Sequence, residues 1–172
     1  WSFHQHGPQQ QFGNYGLSFI CNMSFYSELF TGTTLAFSQE QQRILTSLLL
    51  EGYQWIIWRG YWDVNALNRQ LFRNADIDKG FSLLFAAHSL MKSSEPEVAD
   101  QIKKMILRNS SFSQVPNSFT GNKHFRESDY TVHRTPTWLA SVRMASERVI
   151  GTELVNEDNL KGYYMADGAL YT

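Results

Sequence analysis

What most constrains the fold of this chain is a change of hydrophobic period near residues 110–116. Before it, apolar residues recur at helical spacing: Ile44, Leu45, Leu48, Leu49, Tyr53, Ile56 and Ile57 form one stripe, and Val98, Ile102, Met105 and Ile106 another. After it the period is two. Trp138, Ala140, Val142 and Met144 alternate with Leu139, Ser141, Arg143 and Ala145, which predicts a strand with one apolar face. Helices followed by strands, without alternation, indicate two separately layered regions in an α+β chain. The connecting stretch SSFSQVPNSFTGNK has the Ser, Pro, Asn and Gly content of a junction. The expected division is therefore 1–111, helical, and 112–172, strand-forming.

Local signals refine this outline. Leu17, Ile20, Cys21, Met23, Tyr26 and Phe30 predict a helix buried on most sides and ended by Gly32. Ser38 followed by Gln41 has capping-box spacing, and the stripe behind it runs to Arg59-Gly60. Asp78 is a candidate cap for a helix with Phe81, Leu84, Phe85, His88 and Met91 on its apolar face, where a lone His reads as a core residue. Ser94, Pro96 and Glu97 announce another helix. Tyr130–His133 and Tyr163–Met165 are shorter strand candidates, and Asp167-Gly168 suits a hairpin turn.

Formal net charge is −1, so there is no general electrostatic case for nucleic acid, and no Lys/Arg run suggests a membrane surface. No stretch has the apolar length of a membrane span. Cys21 is the only cysteine, so it forms no internal disulfide and the redox compartment cannot be read from it. The chain starts at Trp1 with no initiator Met or targeting segment and reads as an internal piece of a longer protein, which makes the lack of a signal uninformative.

Two stretches carry chemistry. The opening WSFHQHGPQQQFGNYG collects His4, Gln5, His6, Gln9, Gln10, Gln11, Asn14 and Tyr15, while Gly7, Pro8, Gly13 and Gly16 oppose a helix. An imidazole and a phenol on a structured loop are equipment for acid–base work. A solvated connection has the same composition, and the pattern alone leaves both readings open. In WRGYWDVNALNRQLFRN, Arg69 and Arg73 are four apart, so a helical turn there would set two guanidiniums on one face as a fork for carboxylate or sulfate. The competing reading is a surface pair answering Asp63, Asp76 or Asp78.

The run SFHQHGPQQQFGNYG resembles the histidine–tyrosine motif of polysaccharide lyase family 8, in which a His precedes by nine positions the Tyr of a Gly-x-Tyr-Gly turn; His6 and Tyr15 hold those places. HQHGPQ is most similar to the chondroitin AC lyase branch. A second long match, NSFTGNKHFRESDYTVHRTPTWLASVRMASERVIGTELVNEDNLKGYYMADGALY, is similar to the family's signature across its domain junction. Asn117, Asn122, Lys123, Arg134, Ser141, Glu153, Asn156, Asn159, Lys161 and Gly162 stand at the matching places. Trp1 and Asn14 depart from the residues usual there.

The resemblance implies the final hairpins of an incomplete α/α toroid followed by the start of a large antiparallel β-sandwich. It implies β-elimination at a uronic acid of an acidic polysaccharide, of chondroitin sulfate or hyaluronan type, leaving a 4,5-unsaturated uronosyl end. His6 would neutralise the uronate carboxylate together with an Asn that in the family lies upstream, and Tyr15 would take the C5 proton. Arg69, Arg73 and Glu153 would complete the catalytic set, with Gln5, Asn122, Asn156 and Arg134 contacting substrate. The chemistry would need no cofactor, a structural calcium belonging, where present, to the full-length protein. The expected partner is the polysaccharide, without nucleic acid, and the expected location is extracytoplasmic. A non-catalytic glycan-binding relative is the competing function, and a structural helical module using its aromatics for protein contact leaves both long matches unexplained.

Overall fold

The structure is a computed structural model that describes residues 1–110, 117–154, 157 and 159–162. Five helices precede a small sheet: α1 Leu17–Phe30, α2 Gln39–Ser47, the short α3 Gln54–Ile56, α4 Ala75–Lys92 and α5 Pro96–Asn109. A two-stranded hairpin, β1 Ile57–Trp58 and β2 Tyr61–Trp62, interrupts them. The sheet is antiparallel in the order β3 Gly121–Phe125, β4 Tyr130–Arg134, β5 Leu139–Arg143. The Tyr163–Met165 strand and the Asp167-Gly168 turn lie outside the described residues.

The capping box forms as the spacing predicts: Ser38 Oγ accepts from the Gln41 amide and Gln41 Oε1 accepts from the Ser38 amide. The helix it opens does not reach Gly60. It widens into a π-helical stretch over Leu48–Tyr53, ends at Ile56, and the chain turns back through Arg59 and Gly60, both in the left-handed region. Two such residues make the tight turn whose twist matches a hairpin. Gly80 of α4 lies against the carbonyl of Gly60, so closely that no side chain fits there. Close approach also explains the orientation of α4. Lys79, Gly80, Leu83, Ala86, Ala87 and Leu90 face inward, while Phe81, Phe85 and His88 point outward, contrary to the core placement expected for that stripe.

Three other boundaries differ from expectation. Asn74, left-handed at φ 63°, precedes α4, so Asp76 and Asp78 lie in its first turn, where they favour the helix dipole instead of capping it. Glu95 stands at the N-cap of α5 without a side-chain cap, Pro96 is at N1, and Ser94 Oγ donates back to the Leu90 carbonyl. Helix α1 buries only Leu17, Ile20, Ser24 and Ser27, leaving Phe25 and Leu29 more than half exposed.

The helices and the sheet share one core. Phe12 packs edge-on against Tyr53 at 5.1 Å and Phe125 at 5.6 Å, and Phe125 stacks on Tyr130 at 5.5 Å. Strand β5 turns Ser141 and Arg143 toward this core and its apolar positions Ala140 and Val142 outward, the reverse of the face its pattern suggests. Polar residues are tolerated inward because each is bonded: Asn65 Nδ2 donates to Ser141 Oγ at 2.9 Å, and Arg143 Nη1 to the Asn65 carbonyl. Burial raises the Asp63 carboxyl above its usual range, and the Tyr130 hydroxyl donates to it.

Candidate active site

The opening residues form a narrow loop rather than a helix. Its arms pair through a bridge between His4 and Gln10, with Gln11 N donating to the Phe3 carbonyl at 2.8 Å and Gln5 N to the Gln9 carbonyl at 3.3 Å. The tip is His6-Gly7-Pro8, where His6 has φ 62° and Gly7 φ 94°. A non-glycine residue in the left-handed region is uncommon, and the backbone cost is borne where it aims a functional side chain. The loop then runs into a π-helical turn, Phe12–Gly16, continuous with α1, where the glycines had predicted irregular chain. Gly13 and Gly16 permit that turn to sit down: a Cβ on Gly13 would stand 2.7 Å from the Ala66 carbonyl oxygen, and one on Gly16 2.6 Å from Tyr53 Oη. Tyr15 rides on this wide turn.

Five side chains from three parts of the chain converge. Glu153 Oε2 accepts from His6 Nδ1 at 3.3 Å, and its Oε1 accepts from Arg69 Nη1 and, at 3.2 Å, from Gln11 Nε2. The rings of His6 and Tyr15 meet edge to face at 5.7 Å and 71°. The guanidinium carbon of Arg69 lies 5.6 Å over the Tyr15 ring. The side chains of Arg69 and Glu153 are 9% and 13% exposed and that of His6 is 53% exposed, so the ion pair forms a covered floor and the imidazole opens to solvent. A carboxylate at Nδ1 makes that nitrogen a donor and leaves Nε2 for whatever enters. The arrangement can meet a negative charge with imidazole and guanidinium while holding a phenol beside them.

The segment carrying Glu153 is seated by its own contacts. Ile150 N donates to the Pro8 carbonyl at 3.0 Å, and Asp129 accepts from Ser146 and Arg148. Those bonds hold the Asp129 carboxyl below its usual range, Ser146 first. His4 Nε2 meets Ser128 Oγ at 2.8 Å, tying the loop to the sheet from the other side, and burial pushes its imidazole below the ordinary value.

Not every expected residue joins the group. Arg69 and Arg73 lie on a non-helical stretch between Ala66 and Ala75, so the one-faced fork does not form; Arg69 is buried against Glu153 and Arg73 is exposed. Arg134 is 2% exposed, and its Nη1 donates to the carbonyls of Gln54, Trp55 and Ile57 at 2.8–3.0 Å. It closes the carbonyl end of α3 from inside, and burial pulls it down to about 10. Asn122 points to the outer face of the sheet, opposite Phe125 and the core. Gln5 is half-buried next to His6. Asn156 lies outside the described residues. Asn117, Lys123 and Ser141 are engaged by Phe119 N, Glu51 and Asn65.

Three contributors had no mark in the spacing. Gln11, fully buried, joins Glu153 to Gln9. Asn68, left-handed and buried, donates to the Gln10 carbonyl and accepts the Gly13 amide at 3.4 Å. Lys79 reaches the Gly13 carbonyl from α4. The available signals were the Gln run on the opening loop and a Lys directly before Gly80 inside the apolar stretch of α4. Among the described residues, no group of three His, Cys, Asp or Glu could hold a metal ion.

Residues 1–108 match the model described as polysaccharide lyase family 8, N terminal alpha-helical domain, and residues 120–172 match the same family's super-sandwich domain. The chain is 31% identical, over 98% of its length, to a chondroitinase-AC of Pedobacter heparinus, and 25% identical, over 99%, to a hyaluronate lyase of Thermasporomyces composti. It spans 24% and 26% of those proteins, about a quarter of each. Its fold superposes with a TM-score of 0.80 on a chondroitinase AC lyase solved in oligosaccharide complexes, at 26% identity over 98% of this chain and 25% of that one.

Proposed function

Because the chain belongs to polysaccharide lyase family 8, we propose that His6, Tyr15, Arg69 and Glu153 are part of an active site that cleaves a uronic-acid-containing glycosaminoglycan by β-elimination. The observation that carries this reading is the phenol of Tyr15 in ring contact with both His6 and the Arg69 guanidinium. A group that only bound an anion would have no use for a phenol at that point.

The C5 proton beside a carboxylate is weakly acidic, because its removal builds a second negative charge. As an imidazolium, with Nδ1–H on Glu153, His6 donates its Nε2–H to the uronate carboxylate and offsets that charge as it develops, where a preorganised donor contributes most. Tyr15, as phenolate, takes the C5 proton, and the guanidinium over its ring stabilises the charge it carries beforehand. The electron pair of the C5–H bond becomes the C4–C5 double bond, and the C4–O bond breaks with its electrons. Tyr15, now protonated, returns its proton to the leaving oxygen. Positive charge comes from side chains, so the scheme calls for no cofactor. Exposed Arg73 adds long-range attraction for a sulfated or uronate chain. On this reading 1–111 closes the catalytic toroid and 112–172 begins the sandwich. An extracytoplasmic location follows from the substrate; among the described residues no helix is long and apolar enough to cross a membrane.

Full-length protein incubated with chondroitin sulfate, hyaluronan, dermatan sulfate and xanthan should produce the ultraviolet-absorbing unsaturated end on one or more uronate chains. Binding to any of them without that absorbance would replace the lyase reading by that of a non-catalytic glycan-binding relative.

A further inference from the structure

Resting on the lyase reading above, we propose that Lys79 is a positioning residue: from beneath the site it fastens the turn carrying Tyr15 to the segment carrying Arg69. Its Nζ donates to the carbonyl of Gly13, two residues before Tyr15, and at 2.6 Å to Oε1 of Gln70, the neighbour of Arg69. The Phe72 ring lies 5.8 Å below the ammonium. One cation thus joins the two segments whose relative placement sets the phenol–guanidinium geometry.

The two segments touch backbone to backbone, as the space around Gly13 requires: a Cβ there would stand 2.7–2.9 Å from main-chain atoms of Ala66 and Leu67. Asn68 fastens the same contact from the other side, accepting the Gly13 amide and donating to the Gln10 carbonyl. The Gly13 peptide is therefore held at both its N–H and its C=O by side chains of the Arg69 region and of α4. Displacement of either fastener moves Tyr15 relative to Arg69, with no intervening chain to absorb the change.

A buried Lys is costly to keep where only packing is wanted. Lys79 is 7% exposed on the inward face of α4, and burial pulls its amine down to about 8. An apolar side chain of similar length would fill the same space without that penalty. What it could not do is bond Gly13 and Gln70 at once.

The test compares Lys79→Met and Lys79→Arg in the full-length enzyme. Lys79→Met should lower kcat by about 10- to 100-fold with KM changed by less than about threefold, since a misplacement of about 1 Å costs on this order. Lys79→Arg, which keeps two donors, should recover most of kcat. A Met variant with wild-type kcat, at a temperature where circular dichroism shows it folded, overturns the proposal. So does an Arg variant as slow as the Met variant, which would assign the loss to packing, or a raised KM at unchanged kcat, which would make Lys79 a substrate contact. If Lys79→Met does not fold, Gln70→Leu breaks only one arm and should lower kcat several-fold at constant KM; unchanged kcat there is equally decisive against it. Wild-type protein that forms no unsaturated product on any of the four polysaccharides removes the lyase reading itself, a result separate from any difference among variants.

Discussion

Nδ1 of His6 lies 3.3 Å from Oε2 of Glu153, a contact between residues 147 positions apart. The loop that supplies the imidazole opens the chain, and the acid that orients it comes from the segment leaving the sheet. The site is therefore assembled by docking the sheet onto the helices. Phe12 and Phe125 contribute to the apolar part of that docking, and the Asn65–Ser141, Arg134–Ile57 and Ile150–Pro8 bonds to the polar part.

Tyr15→Phe removes one oxygen and leaves the ring contacts with His6 and Arg69 in place. Product formation by the full-length protein should fall by at least about 10²-fold, the usual contribution of a positioned proton-transfer group. Affinity, measured by calorimetry with an uncleaved oligosaccharide, should change little. Near-wild-type turnover would remove Tyr15 from the mechanism.

Glu153→Gln keeps the shape and one acceptor oxygen but cancels the charge that faces Arg69 and His6. The buried ion pair of Arg69, 7% exposed, with Glu153 is then broken, and losses of about 3 kcal/mol attend the breaking of such a pair. The expected result is a lower unfolding midpoint together with a kcat loss of about 10²-fold. Equal stability and activity in the Gln variant would mean that the carboxylate charge is not what organises the site.

The helices, the capping box and the switch to strands were legible because period and caps are local properties of the sequence. The resemblance paired His6 with Tyr15, and the structure sets their rings 5.7 Å apart. What spacing could not show was which face of each element meets a neighbour. On α4 the small residues turned inward because Gly80 must admit the Gly60 carbonyl, leaving Phe81 and Phe85 outside. Arg134 matched a family position yet serves the end of α3, since a buried run of main-chain carbonyls can be met by a guanidinium that no periodicity reports. The Arg69–Arg73 spacing suggested a helical face, but Asn68 and Asn74 are both left-handed and the stretch between them is turn and irregular chain.

That separation predicts different behaviour for the two arginines. Arg73→Ala should raise KM at low salt, with the difference from wild type fading as ionic strength rises, because an exposed charge acts through a screened field. Arg69→Ala should lower kcat at every salt concentration, because its partners include the buried Glu153 and the face of Tyr15. Identical salt profiles for the two variants would contradict the placement.

Gly13→Ala adds a single methyl where main-chain atoms of Ala66 and Leu67 leave no room. Overpacking of this kind costs about 1–3 kcal/mol, and the π-helical turn must lift to relieve it. Both the unfolding midpoint and kcat should drop, with KM less affected. A variant that is destabilised but retains full kcat would show that Tyr15 tolerates movement of its turn.

The amine of Lys79 gives a prediction in pH alone. In the unfolded chain it titrates near the ordinary 10.5, and in the folded protein burial brings it to about 8. Between those values the unfolded state holds a proton that the folded state has released, so raising the pH favours folding. Below about pH 8 both states are charged and the folded one bears the full desolvation cost; above 10.5 that cost is gone. Denaturant midpoints of wild type and Lys79→Met, compared from about pH 7 to about pH 10, should therefore converge or cross in favour of the wild type. A difference between the two proteins that stays constant across that range would mean that Lys79 is not held in a desolvated setting.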